Sequence, residues 1–228
     1  MKRKNKYVGR SKISEAKFRA IVRYFSIDRD ASQSAALSRL NRNTINRYLH
    51  GMRIRIAQVC ENYSPLSGQV EIDASFFGAR RVKGKRRCST YGKTIVFGLL
   101  KRQKARCIPR SFQIALNPCY KRLFEVKWIL SVIYSDGFAS YDGLVDVGYD
   151  KHFRVDHGNN EFACSHRHSN GIEGFWGVAK TRLSKFRGIS RATLYLYLKE
   201  CEFRCNNRHQ NLYDILLQCM RNNSLFSS

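Results

Sequence analysis

Acidic side chains are scarce in this sequence, 17 Asp and Glu against 42 Lys and Arg, so the position of each one is informative. Asp73 ends the strand-like run QVEID, Asp136 ends the apolar run SVIYSD, and Glu173 follows Gly171 in the first turns of a helical stretch. In an open α/β sheet the strand ends meet along one edge, where three carboxylates so placed can converge. Three oxygen donors of this kind suit one or two magnesium ions, which bind through a few carboxylates plus phosphate oxygens and water. Two such ions, about 3.5–4 Å apart, stabilise both the attacking and the leaving oxygen of an in-line phosphodiester displacement. Each residue also has a plainer reading. Asp73 suits a strand-end turn, Asp136 in Ser-Asp-Gly suits a turn, and Glu173 complements a helix N-terminal dipole.

The elements that must position these residues are legible as periodicities. Val70 and Ile72 alternate with Glu71 and Asp73 in a first strand. KTIVFGLLK (93–101) reads as a second strand and RCIPRSFQIAL (106–116) as a third, bent near Pro109. A helix is expected over 120–130, a strand over 131–136 and a fifth strand over 151–157. HSNGIEGFWGVAKTRLSKF then reads as a long helix with Ile172, Phe175, Trp176, Ala179 and Leu183 on one side, and LYLYLKECEFRCNN as another. This order predicts an α/β fold built on a mixed sheet with flanking helices. Lys180 stands about two turns after Glu173, so the two share a helix face.

Residues 1–60 hold 15 Lys and Arg but 3 acidic residues. Phe18, Ile21, Val22 and Phe25 form one helix face; a second helix is expected over 32–38; after a break at Leu40 and Asn41, Ile45, Tyr48, Leu49, Met52 and Ile56 keep helical spacing. Two helices about three residues apart, with small Ala35 and Ala36 where they would touch, have the spacing of a helix-turn-helix. Its second helix opens with Arg42, Asn43, Thr44, Asn46 and Arg47, side chains that bond base edges and phosphates. A plain helical bundle with a solvated basic face is the alternative. Between the first two strands, ARRVKGKRRCSTYGK has seven basic residues and no acidic one. Lys83, Lys85, Arg86 and Arg87 there can neutralise phosphates, or form a solvated hairpin. His157, Cys164, His166 and His168 are closely spaced and either line a cleft before Glu173 or bind zinc.

A net charge of +25 with 43% hydrophobic residues and 3 prolines excludes wholesale disorder. The longest apolar runs fall well short of the roughly 20 residues that cross a bilayer, and no apolar segment follows the basic start. No membrane association and a cytoplasmic location are therefore expected. The eight cysteines include no C-x-x-C pair and read as reduced, apolar side chains.

The strings EIDASFFG, KGKRR with GKTIVFGLLKR, YSDGFASYD, VDH, HSNGIEGFWGVAKTRLSKFRGI and YLYLKECEFRCNNR closely resemble the ISXO-like branch of bacterial insertion-sequence transposases, from about Val70 to Arg208. The resemblance implies a ribonuclease-H-like DDE core in which Asp73, Asp136 and Glu173 are catalytic and bind two divalent metal ions, magnesium or manganese. It makes Lys180 the accompanying basic residue and Asn170 the alternative third ligand, because Asn takes that place in some relatives. It also implies double-stranded DNA as partner (transposon ends and target), with Trp176 among the DNA-contacting residues. A homo-oligomer at synapsis and an association with the bacterial nucleoid follow from the same resemblance. The chain departs from relatives in Ala74 and Gly78-Ala79 after the first aspartate, in a shorter segment between Ile114 and Asp136, and in lacking a zinc ribbon.

The expected organisation is a helix-turn-helix module over 1–62, a linker over 63–69 and a ribonuclease-H-like domain over 70–228. The expected function is a DNA transposase that binds terminal inverted repeats, then cleaves and joins DNA. The alternatives are a decayed transposase retaining only DNA binding, motivated by the shorter central segment, and a related nuclease acting on RNA or structured DNA.

Overall fold

A computed structural model describes residues 5–62, 68–78, 93–101, 112–116, 130–136, 152–155, 170–186 and 189–226. Residues 68–72, 101, 112–116, 130–136, 152–155 and 170 are described by their backbone course. The chain divides into two compact units, 1–63 with 186–228, and 64–185.

The second unit is built on a five-stranded sheet. Its strands are β1 (Gly68–Phe77), β2 (Thr94–Lys101), β3 (Phe112–Leu116), β4 (Leu130–Asp136) and β5 (His152–Val155). The spatial order is β3-β2-β1-β4-β5. The β1–β2 and β2–β3 pairs are antiparallel, whereas β4 runs parallel to β1 and β5 parallel to β4. The run IVFGLL is continuously apolar because β2 lies inside the sheet, and Val96, Phe97, Leu99 and Leu100 are all buried. Helix α4 (Asn170–Ser184) packs against β1 and β2. Its face of Ile172, Phe175, Trp176, Ala179 and Leu183 is buried, as its spacing predicts. The mixed α/β character expected from the sequence is thus present. Of the helix expected over 120–130, Leu130 instead opens β4 and residues 120–129 lie outside the described residues, as do the His157–His168 cluster and the basic residues Lys83, Lys85, Arg86 and Arg87.

The other unit is helical: α1 (Glu15–Ser26), α2 (Ala31–Ser38), α3 (Arg42–Glu61), α5 (Arg191–Asn206) and α6 (Leu212–Asn222). Their starts follow local chemistry. Asp30 and Gln33 form a reciprocal capping box at α2, and Asn41 caps α3 by accepting from the Asn43 amide at 2.8 Å. Three residues join α2 to α3, the first of them Arg39 in the left-handed region with φ 53°. Ser34 is buried and Ala35 partly buried where α2 meets the core, while Ala36, expected at that contact, is exposed.

The linear division into 1–62, a linker and 70–228 needs correction on two points. Gly68 and Gln69, expected in the linker, already belong to β1. The C-terminal helices, expected with the sheet, join the N-terminal ones instead: Phe203, Leu216, Met220 and Leu225 complete one core with Phe18, Ile21, Ile45, Tyr48 and Met52. The physical reason is a buried charge network as well as apolar packing. Glu200 is fully buried on α5, and its carboxylate accepts from Arg53 Nε of α3 at 2.8 Å and from Arg204 Nε at 2.9 Å. Arg204 also donates to the carbonyls of Phe25 and Ser26, which end α1. Arg53 stacks on Tyr197, 4.0 Å from the ring centre. A buried carboxylate of this kind persists only where cations and donors surround it.

Candidate active site

The parallel register pairs Ile72 of β1 with Ser135 of β4. One step further along each strand come Asp73 and Asp136, so the two residues are level on adjacent strands at the centre of the sheet. Neighbouring strands lie about 4.8 Å apart, a spacing across which two carboxylates can share one ion. Asp136 is the last residue of β4, where the sequence reading puts it, and pairs with Val155 of β5. Asp73 lies inside β1 rather than at its end, because the strand continues to Phe77. On the β2 side Asp73 faces Gly98, which has no side chain to crowd it.

Residues two apart on a strand share a face. Asp73, Ser75 and Phe77 therefore lie on one side of β1, with Asp73 half-buried and the other two buried. Phe77 meets Trp176 of α4 edge-on at 5.8 Å between ring centres, and the Lys180 Nζ stands 6.0 Å from the centre of the same ring. That contact docks α4 on the face of β1 that carries Asp73. Glu173, Trp176 and Lys180 follow one another at helical spacing on α4; Glu173 and Lys180 are exposed, whereas Trp176 is buried. Asn170 is the first residue of the helix.

Trp176, expected among the DNA-contacting residues, packs inside the unit. Only 4% of it is exposed, so in this structure it is a packing residue that seats the helix. Phe77, its seat, was not singled out from the sequence, although an aromatic residue at a strand end opposite a helical aromatic pair was a usable signal. Among the described side chains no three His, Cys, Asp or Glu groups are gathered to hold a metal; the Asp136 side chain is outside that set. If Asp73, Asp136 and Glu173 held an ion together they would offer carboxylate oxygens alone, a donor type that suits magnesium or manganese rather than zinc.

In the helical unit, Arg42, Asn43, Asn46 and Arg47 are exposed on the first turns of α3, and Thr44 is half-buried. The opposite face of the helix, with Ile45, Leu49, Met52 and Ile56, is buried, so the unit presents the polar face outward. Of the described cysteines, Cys60 and Cys201 are buried and, with Cys205 and Cys219, carry free thiols. Burial pushes the Cys60 thiol far above its ordinary range, and the Glu202 carboxylate nearby adds to this. No described helix is long and apolar enough to cross a membrane.

Comparison with known proteins bears on the family of the chain. The model of the ISXO2-like transposase domain matches residues 65–206, which takes in the whole described sheet, α4 and α5. A protein of Haemophilus influenzae described as an uncharacterized transposase-like protein is 49% identical over 77 residues, 34% of this chain and 61% of that relative's length. A crystal structure of a pre-cleavage Mos1 transpososome aligns over 96% of this chain and 81% of its own at 11% identity, with a TM-score of 0.27, too low to establish a common fold. The family match covers more than half of the sequence and includes Asp73, Asp136 and Glu173: the chain belongs to the ISXO2-like transposase domain family.

Proposed function

We propose that the protein is a DDE-type DNA transposase of an insertion sequence, with a ribonuclease-H-like catalytic core and a helix-turn-helix that binds the terminal repeats. The observation that carries this reading is the level placement of Asp73 and Asp136 on β1 and β4, with α4 and its Glu173 docked on the same side of β1 through Trp176 and Phe77. The sheet order supports it too: an antiparallel β1-β2-β3 meander extended by parallel β4 and β5 is the arrangement expected of a ribonuclease-H-like sheet.

In this proposal Asp73, Asp136 and Glu173 hold two magnesium or manganese ions, with Asn170 the alternative third ligand. When bound, such ions stabilise the attacking and leaving oxygens of a phosphodiester. The rest falls to the chain itself. Lys180, on the face of α4 that bears Glu173, offsets the charge of the phosphate next to the carboxylates. Water attacks a phosphodiester at the transposon end first, and the P–O bond that breaks releases a DNA 3′-hydroxyl; that hydroxyl then attacks a target phosphodiester, whose own 3′-oxygen leaves and takes up a proton. Arg42, Asn43, Thr44, Asn46 and Arg47 bind DNA at the start of α3, and Lys83, Lys85, Arg86 and Arg87 bind the backbone. Two or more protomers hold the ends, and the protein works in the cytoplasm at the nucleoid.

The test is Asp73→Asn in the full chain. Magnesium-dependent cleavage and joining of end-containing duplex is expected to vanish while duplex binding persists. Activity that survives the substitution removes Asp73 from the mechanism. Binding by the wild-type protein with no cleavage in magnesium or manganese favours the decayed, DNA-binding reading.

A further inference from the structure

Residues Ser224, Leu225 and Phe226 reach the face of α3 proposed to bind DNA. Leu225 is held in a two-sided backbone exchange with the N-terminal segment: its amide donates to the Tyr7 carbonyl at 2.8 Å, and its carbonyl accepts from the Gly9 amide at 2.7 Å. Arg55 Nη2 donates to the Ser224 carbonyl at 3.2 Å. The next residue, Phe226, adopts φ 56°, a backbone conformation that bulky residues rarely accept unless their surroundings impose it. Its ring lies over Gly51, where a Cβ would come within 3.0 Å of the ring carbons, and beside Tyr48 at 5.8 Å between centres. Yet 37% of Phe226 remains exposed. The Arg47 guanidinium stands above that ring, 4.7 Å from its centre.

A guanidinium held over a ring is attracted by the ring's negative face, and when it lies flat there its N–H donors stay at the edge, free to bond elsewhere. An exposed arginine otherwise samples many rotamers, and ordering it on binding opposes affinity. We infer that Phe226 is a positioning residue for DNA binding: it holds Arg47 in a donor-outward pose, so that Leu225 and Phe226 complete the binding surface of α3. The inference rests on the proposed DNA-binding role of α3.

The full-length chain tests it by fluorescence anisotropy on a labelled 20-base-pair duplex of mixed sequence, titrated at several salt concentrations. Arg47→Ala is expected to weaken binding about tenfold and to lower the salt slope by about 1. Phe226→Leu keeps apolar bulk but removes the ring, and is expected to weaken binding about two- to fivefold. In the Arg47→Ala background the same substitution is expected to change nothing, and Phe226→Tyr, which keeps the ring, is expected to bind duplex as tightly as the wild type. Wild-type affinity in Phe226→Leu, with Arg47→Ala weakened, overturns the positioning role but leaves DNA binding by α3 standing. A loss from Phe226→Leu that is equal in both backgrounds also overturns it, since the residue then acts on the fold. Unchanged affinity and salt slope in Arg47→Ala remove Arg47 from the DNA surface and the inference with it.

Discussion

Asp73 and Asp136 are neighbours across two parallel strands, one register step past the Ile72–Ser135 pair, although they lie far apart in sequence. Their level placement depends on β1 and β4, and so does any joint chemistry. Asp136→Asn is expected to lower metal-dependent DNA cleavage by about a thousandfold or more, in keeping with a loss of several kcal/mol of charge stabilisation at the transition state. Single-turnover cleavage measures it, with duplex binding as the control.

Trp176 and Phe77 hold α4 on the sheet, so Trp176→Ala is expected to cost about 3–5 kcal/mol of stability. Trp176→Phe keeps most of the contact, and a smaller loss is expected. Urea unfolding gives both values. Activity of the phenylalanine variant, taken under conditions where it is folded, reports how strictly Glu173 and Lys180 must be placed.

Much of this geometry was readable in advance, for definite reasons. The alternation at Val70–Asp73 marks the strand that β1 forms, and the apolar run of β2 reflects the burial of Val96, Phe97, Leu99 and Leu100. The faces of α1, α3 and α4 are likewise written at helical spacing. The partner of α5 was not readable. Its buried face includes Lys199, Glu200 and Glu202 beside Leu194, Leu198 and Phe203, so hydrophobic periodicity is blurred, and the Arg53–Glu200 pair joins residues remote in sequence. The stacking of Phe226 under Arg47 left no local signal at all. The level register of Asp73 and Asp136 follows from strand pairing, which no periodicity specifies.

Glu200→Ala leaves Arg53 and Arg204 without their common carboxylate in a buried setting. A loss of about 3–5 kcal/mol is expected, visible as a lowered urea midpoint. The same network makes a fragment of residues 64–228 a poor fold: α5 would keep a buried carboxylate without Arg53, and the core shared with α1 and α3 would be open. Circular dichroism and gel filtration of that fragment are expected to show lost helix or aggregation.

Two glycines inside α4 give a prediction of opposite sign. A Cβ at Gly174 or Gly177 would meet nothing within 4 Å, so alanine at either position is expected to raise stability by about 0.5–1 kcal/mol. At Gly51 the Phe226 ring is in the way, and Gly51→Ala is expected to destabilise. Thermal unfolding of the three variants separates the two cases.

The most direct measurement is manganese binding to the full-length protein, followed by electron paramagnetic resonance, for the wild type and for Asp73→Asn, Asp136→Asn and Glu173→Gln. The expected result is a wild type that binds the ion and three variants that each bind it more weakly. Wild-type manganese affinity in Asp136→Asn or in Glu173→Gln would contradict a shared three-carboxylate site.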